Sequence, residues 1–334
     1  MISFFEVIYT VLGFTISFIV TFILVPILIR KFKKKGIVGT DIHKFEKPEI
    51  PEMGGLSILL SIVITSLILS ALYTELAKIF IVFLIVVVAV GIIGAIDDIK
   101  PLNPKLKPTL TALAGLPIII LGTYVPRPVL PIIGKTRLTI VYPLLVLASF
   151  AVSTNAVNML DIFNGAMAGT CGILFFTLLI ASIILGSEPG LILSSMMLGS
   201  LIAFYHYNKY PAKIFSGDVG SLAVGAAIAA TAIIGRLEII TIIAMMPHIM
   251  NGFHSLASIG GLLERRQIKA RPTKMLPDGR LAANKDPKAP ITLARLILAG
   301  GPLYEYEIVK VLLLLSAYSG LLAIITALII AWGL

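Results

Sequence analysis

The stretch Ile79-Phe-Ile-Val-Phe-Leu-Ile-Val-Val-Val-Ala-Val-Gly-Ile-Ile-Gly-Ala-Ile96 carries no charge and runs directly into Asp97-Asp98. At 1.5 Å per residue a helix of this length reaches about 27 Å, close to the hydrocarbon thickness of a bilayer, about 30 Å. Lipid offers the backbone no hydrogen-bonding partner, so such a run must bond within itself as a helix. Residues 140–160 form a second uncharged run of the same kind. Across the chain 58% of residues are hydrophobic, 13% are charged, and the mean hydropathy is +1.02. Soluble domains run at about 45–50% apolar and about 25% charged. The sequence therefore predicts an all-α, polytopic integral membrane protein.

Outward from that run, apolar stretches predict about ten transmembrane helices near 6–29, 54–72, 79–96, 108–122, 140–157, 168–186, 190–206, 220–235, 238–260 and 306–333. The whole of 1–334 reads as one transmembrane domain with a larger loop at about 261–305. Alternate gaps (30–53, 97–107, 158–167, 207–219 and 261–305) hold twenty-one of the twenty-seven Lys and Arg. Positive charge in short loops marks the cytoplasmic side, which puts these gaps inside and both termini outside. The first apolar run lacks a basic leader and ends in a basic cluster, as expected of a retained helix rather than a signal peptide. The segment 122–139 reads as an outer hairpin or interfacial segment.

Other classes fall away on composition. The single cysteine, Cys171, permits neither a disulfide framework nor a cysteine metal site, and the four histidines form no metal-binding helix pair. The net charge of +10 sits in loops between spans, where membrane topology alone would put it, so nucleic acid is not expected as a partner.

The cytoplasmic gaps carry more polar residues than packing requires. Asp97 and Asp98 close a span, yet acids at a helix C-terminus oppose the macrodipole and call for another partner. In Asn155-Ala-Val-Asn158-Met-Leu-Asp161-Ile-Phe-Asn164-Gly165, polar side chains recur at every third position, a spacing that shares a helix face. Interhelical hydrogen bonds are the plain alternative. Phe215-Ser-Gly-Asp218-Val-Gly-Ser221 opens a span, where Asp218 suits either an N-cap or an oxygen ligand for a hard cation. Asp41-Ile-His43-Lys44 and Pro51-Glu-Met-Gly54-Gly55 lie in the first gap, and the paired glycines allow close backbone approach. Arg265, Arg266, Lys269, Arg271 and Arg280 crowd the last gap, as a lipid-headgroup patch or a pyrophosphate-recognition loop. A divalent cation, phosphate oxygens and a lipid substrate would together call for this one-sided clustering. A transporter would instead place polar residues near the midplane and show internal repeats.

These motifs, in this order, resemble the polyprenyl-phosphate N-acetylhexosamine-1-phosphate transferases over nearly the whole chain. That family includes the bacterial phospho-MurNAc-pentapeptide translocase and the eukaryotic and archaeal UDP-GlcNAc:dolichyl-phosphate GlcNAc-1-phosphate transferase. The resemblance is nearest to the dolichyl type, because the bacterial His-rich loop is missing. It implies transfer of HexNAc-1-phosphate from a UDP-sugar to a polyprenyl (dolichyl) phosphate, with release of UMP, at the cytoplasmic face of the cell membrane. It also implies Mg2+, with Mn2+ as a substitute, and a homodimer. By the same resemblance Asp218 and Asn158 hold the metal. Asp97 and Asp98 lie at the lipid phosphate, without distinction as to which serves as base, and Lys107 contacts phosphate. Lys44, Asn155, Asp161, Asn164, Gly165, Arg265, Arg266 and Arg271 fall in the substrate-binding regions.

Overall fold

The structure is a computed structural model that describes residues 3–261 and 270–333. Its helices are α1 (Phe4–Lys35), α2 (Gly55–Leu72), α3 (Ala77–Ile99), α4 (Leu106–Leu113), α5 (Leu116–Ile120), α6 (Tyr142–Leu160), α7 (Ala166–Leu185), α8 (Glu188–Asn208), α9 (Gly217–Ile234), α10 (Glu238–Ala244), α11 (Met246–Ile259), α12 (Leu293–Ile297) and α13 (Glu305–Ala331). Three two-stranded antiparallel ribbons lie between them. β1 (Val38–Thr40) pairs β2 (Glu49–Pro51), β3 (Val129–Leu130) pairs β4 (Gly134–Lys135), and β5 (Thr273–Met275) pairs β6 (Leu281–Ala283). The chain is a helical multi-pass membrane protein.

Eight of these helices, α3 together with the short turn before it, are long and apolar enough to cross a bilayer. The other two expected spans take different forms. The ninth is the pair α10 and α11, bent by 64°. Pro247 explains the break, since proline has no amide N–H to continue the helical ladder. The fourth is the shorter helix at Leu106–Ile120, interrupted around Ala114 and Gly115. Pro117 again cannot donate, and a β-carbon at Gly115 would press on the Phe150 ring at 2.9 Å. The 122–139 segment is indeed a hairpin, closed by β3 and β4.

Helix α9 is the axis of the bundle: 89% of its spanning window is buried, against 28% in α1 and in α13. Its composition explains that position. Lipid tails are as apolar as leucine, so spanning helices associate through close packing, and small residues permit it. Gly220 meets Gly55 at the start of α2 so closely that a β-carbon on either would crowd the other's backbone, and Gly225 lies against the backbone of Thr154 in α6. Gly94 gives α3 the same close approach to α9 beside Asp218. Further out, hydroxyls join helices: Ser17 Oγ donates to Met196 O at 2.6 Å, and Thr21 and Ser200 hydroxyls are 2.8 Å apart. Helices α1 and α13 expose Phe22, Ile23, Leu314 and Leu321, as lipid-facing surfaces should. Because α9 touches α2, α3 and α6, its N-terminus gathers their ends around one point.

Candidate active site

Four chain segments meet at the N-terminus of α9. Backbone pairing sets the floor: Gly54 N donates to Phe215 O and Gly55 N to Ser216 O, both at 2.8 Å, and Phe215 N donates to Pro51 O at 2.8 Å. The glycine pair thus lies directly against the Phe215-Ser-Gly-Asp218 turn.

The twin aspartates that end α3 point in different directions. Asp98 accepts from Asp218 N at 2.7 Å and Val219 N at 3.0 Å, so it caps the first turn of α9 from another helix. This is the partner its place at a helix C-terminus called for, because α9 offers free amides and the positive end of a dipole. Ser216, at the capping position itself, makes no side-chain cap, and Asp218 lies one residue inside the helix. The cap expected of Asp218 is therefore made by Asp98, and the Asp218 carboxylate turns instead to Asn158 and Lys107.

Asp97 accepts from Leu102 N at 2.5 Å and from Lys107 Nζ at 2.8 Å. The same ammonium bonds Asp218 and reaches Asn158 Oδ1 at 3.5 Å. Asn158 Nδ2 donates to Asp218 Oδ1 at 2.8 Å and to Ser221 Oγ at 2.9 Å, which fixes the orientation of its amide. Two carboxylates and an amide oxygen therefore converge on one ammonium. The Lys107 and Asp97 side chains are only 15% and 12% exposed, so solvent screens this attraction weakly. Oxygen donors of this kind suit a hard divalent cation, and the ammonium occupies the place where a cation would be held.

Asp161 follows the last turn of α6 and accepts from the Ser216 hydroxyl. Burial, abetted by the nearby Asp218 and Asp98 charges and opposed by the Ser216 hydrogen bond, pushes its carboxyl up to about 7. The expected polar face of α6 is only partly realised. Asn158 and Asp161 turn to the acid cluster, but Asn155 Nδ2 donates to Ala151 O at 2.8 Å and approaches Thr111 Oγ1 at 3.4 Å. A three-residue step rotates a helical position by about 60°, so over six residues the stripe drifts by about 120°.

A second group forms on the other side of the α6–α7 turn. Asn164 Nδ2 donates to Asp41 Oδ2 at 3.1 Å, Asn164 N donates to Glu305 Oε1 at 2.8 Å, and Lys44 Nζ pairs with Asp41 Oδ2 at 2.7 Å while lying over the Tyr210 ring at 4.8 Å. Burial works to raise the Asp41 carboxyl, but hydrogen bonds from Lys44 and Asn164 outweigh it and hold the group below the usual range. Gly165, at φ 83°, makes the turn into α7. Arg271 is separate again. It lines a cavity of about 240 Å³ with His43, Lys47 and Thr273, and its carbonyl accepts from Asn284 Nδ2 at 2.7 Å. Arg265 and Arg266 lie outside the described residues. Sequence reasoning overlooked Glu305, because an acid at a helix start has a sufficient reason in the dipole.

Gly217 joins the cap to the acid cluster. Its φ is +70°, and a β-carbon there would lie 2.7 Å from Asp98 Oδ2. Gly36 has nearly the same φ, +69°, with nothing within 4 Å. Alanine at either position should cost about 1 kcal/mol of backbone strain. Only Gly217→Ala should also displace Asp98 and lower turnover by about tenfold or more, whereas Gly36→Ala should leave turnover unchanged. Thermal unfolding and turnover measured on both variants check this.

Residues 80–236, which carry Asp97, Asp98, Lys107, Asn158, Asp161 and Asp218, match glycosyl transferase family 4. A Methanocaldococcus jannaschii protein provisionally named a glycosyltransferase is 32% identical over 319 residues, 93% of this chain and 96% of the relative. A Saccharolobus solfataricus protein provisionally named UDP-N-acetylglucosamine–dolichyl-phosphate N-acetylglucosaminephosphotransferase is 28% identical over 93% of this chain and 94% of its own length. The phospho-N-acetylmuramoyl-pentapeptide-transferase of Anoxybacillus flavithermus is 35% identical over 68% of this chain and 76% of its own. With acids, amide and lysine gathered at the tip of the central helix, and with similarity running from end to end of a relative, this chain belongs to glycosyl transferase family 4.

Proposed function

We propose that the protein transfers N-acetylhexosamine-1-phosphate, in the first instance GlcNAc-1-phosphate, from a UDP-sugar to a polyprenyl (dolichyl) phosphate and releases UMP. The observation that carries this reading is the convergence of Asp97, Asn158 and Asp218 at helix ends on one ammonium, that of Lys107. The dolichyl type is favoured over the bacterial pentapeptide type because the Saccharolobus relative, whose name is of that type, aligns with this chain over 93% of its length, against 68% for the Anoxybacillus enzyme.

The difficulty of the reaction is electrostatic. An oxygen of the lipid phosphate must attack the β-phosphorus of a pyrophosphate that already carries negative charge. A new P–O bond forms there, the bond to the bridging oxygen breaks, and the electron pair leaves on UMP. Asp218 and Asn158 would hold Mg2+, or Mn2+ in its place, which supplies Lewis-acid neutralisation of the pyrophosphate oxygens. The chain's own residues do the rest. Lys107 adds a positive charge, and its contact with Asp97 fixes where that charge lies. Asn158 orients the Asp218 carboxylate. Asp98 fixes the first turn of α9, whose remaining amides and dipole favour an approaching phosphate. Both Asp98 oxygens accept from backbone amides of α9, so we assign Asp98 a positioning role, whereas Asp97 meets the Lys107 ammonium and is assigned the direct contact with reacting groups.

The acceptor explains why the site is at helix ends. Removing a polyprenyl chain from lipid costs about 0.8 kcal/mol per CH2 exposed, so the phosphate must be reached from the bilayer while the nucleotide arrives from water. The excess of Lys and Arg in the same gaps supports a cytoplasmic face.

A phosphomonoester loses its second proton near pH 6, so the attacking phosphate needs no base at neutral pH. Turnover should rise through about pH 6 and stay level above about pH 7. A pH series of UMP release from UDP-GlcNAc by purified protein, with polyprenyl phosphate and Mg2+, tests the reading. A profile rising beyond pH 8 would contradict it.

A further inference from the structure

Asp41, His43 and Glu305 bring one ligand atom each to within 4.8 Å of one another, although they come from the loop between β1 and β2 and from the start of α13. Asp41 is 3% exposed and Glu305 5%. Two carboxylates are thus enclosed together, and their neighbours satisfy them unequally. Asp41 Oδ2 receives Lys44 and Asn164, and Asp41 Oδ1 receives His43 N at 3.3 Å. Glu305 Oε1 receives Asn164 N, but Glu305 Oε2 is buried without a hydrogen-bond partner.

An unpartnered carboxylate oxygen in such a place is a site short of one positive ligand, because burying it uncompensated is costly. Lys44 provides one ammonium for two carboxylates and is already shared with the Tyr210 ring. The imidazole of His43 supplies the third donor. Its ring is fixed by Phe163, whose centroid lies 4.8 Å away.

We propose that Asp41, His43 and Glu305 form a second divalent-cation site, separate from the one at Asp218, and that it fastens the first loop to α13 and to the α6–α7 turn. An ion bound at about 2.1 Å with tetrahedral geometry holds its ligand atoms about 3.4 Å apart, so side-chain closure by at most about 1.4 Å completes the site. Two carboxylates with one imidazole select a first-row cation of the Mn2+ or Zn2+ kind over Mg2+, which takes oxygen ligands alone. The donor sets differ: the Asp218 position offers no imidazole, and this one does. The site stands on the burial and geometry of these three side chains and is independent of the phosphotransfer reading.

The test uses Mn2+ as the probe and the full chain in detergent. Asp218→Asn protein is titrated with Mn2+, binding is counted by loss of the free-ion electron paramagnetic resonance signal, and ligands are read from nitrogen modulation of the electron spin echo. The expected result is about one Mn2+ per chain with imidazole nitrogen coupling. Adding Glu305→Gln, which keeps an acceptor for Asn164 N, should weaken binding at least tenfold. Adding His43→Gln should abolish the imidazole coupling while weaker binding persists. Unfolding measured without metal confirms that each variant is folded. No bound Mn2+ in Asp218→Asn protein would overturn the proposal, as would bound Mn2+ that lacks imidazole coupling or ignores Glu305→Gln. A proton on His43 as the sole compensating charge would give the first of these outcomes.

Discussion

Asp218→Asn should reduce UMP release by about a thousandfold or more while the protein stays folded. The size follows from what the carboxylate does. It is the shared acceptor of Lys107 and Asn158, and on the proposed function it would ligate the metal. Neutralising one preorganised charge at a reacting phosphate typically costs several kcal/mol of barrier, and about 1.4 kcal/mol is a factor of ten. Stability should barely change, because asparagine keeps the shape and an oxygen acceptor, and because the Asp98 bonds go to the backbone of residue 218 rather than its side chain. Turnover and thermal unfolding, measured on the same preparation, decide it. A loss that tracks unfolding would reassign Asp218 to structure.

Lys107→Met should give a less usual pair of changes. Turnover should fall by about a hundredfold, because a charge held against Asp97 and Asp218 is lost from beside the pyrophosphate. Cation affinity measured without substrate should rise. In the present structure the ammonium sits between Asp97 and the Asp218 carboxylate that would ligate a metal, so a cation has to displace it. Removing the ammonium removes the competitor and leaves Asp97 and Asp218, which now share it, without their counter-charge. Mn2+ titration of wild type and Lys107→Met would show the variant binding more tightly yet turning over more slowly. Weakening of both would mean that Lys107 helps to hold the metal site together.

The fold was legible because its signal is long and simple. Eighteen uncharged residues from Ile79 to Ile96 leave a chain in lipid one option, and the structure has a helix there. The breaks were harder to read. Pro117 and Pro247 were visible, but whether a proline in an apolar run kinks a span or ends it depends on neighbours such as Phe150, which the run itself does not name.

The site was legible in its members more than in its arrangement. Asp97, Lys107, Asn158 and Asp218 were each singled out, and they meet. Asn155 was grouped with Asn158 by spacing, and the rotation of a straight helix separates them. Asp97 and Asp98 are adjacent in sequence, yet helical geometry turns neighbours about 100° apart, so one faces the lysine and the other the end of α9. Glu305 joins Asp41 only through tertiary structure, across a separation in sequence that periodicity cannot bridge.

The nucleotide product tests the account most directly. A glycosyl transferase that moves sugar alone from UDP-GlcNAc leaves UDP, whereas attack at the β-phosphorus leaves UMP and carries the β-phosphate into the lipid. Purified protein would be incubated with β-32P-labelled UDP-GlcNAc, polyprenyl phosphate and Mg2+, and the aqueous and organic phases analysed. The account predicts UMP in water and an equal amount of label in lipid, both abolished by EDTA. UDP as the product, or release of UMP that persists in EDTA, would contradict it.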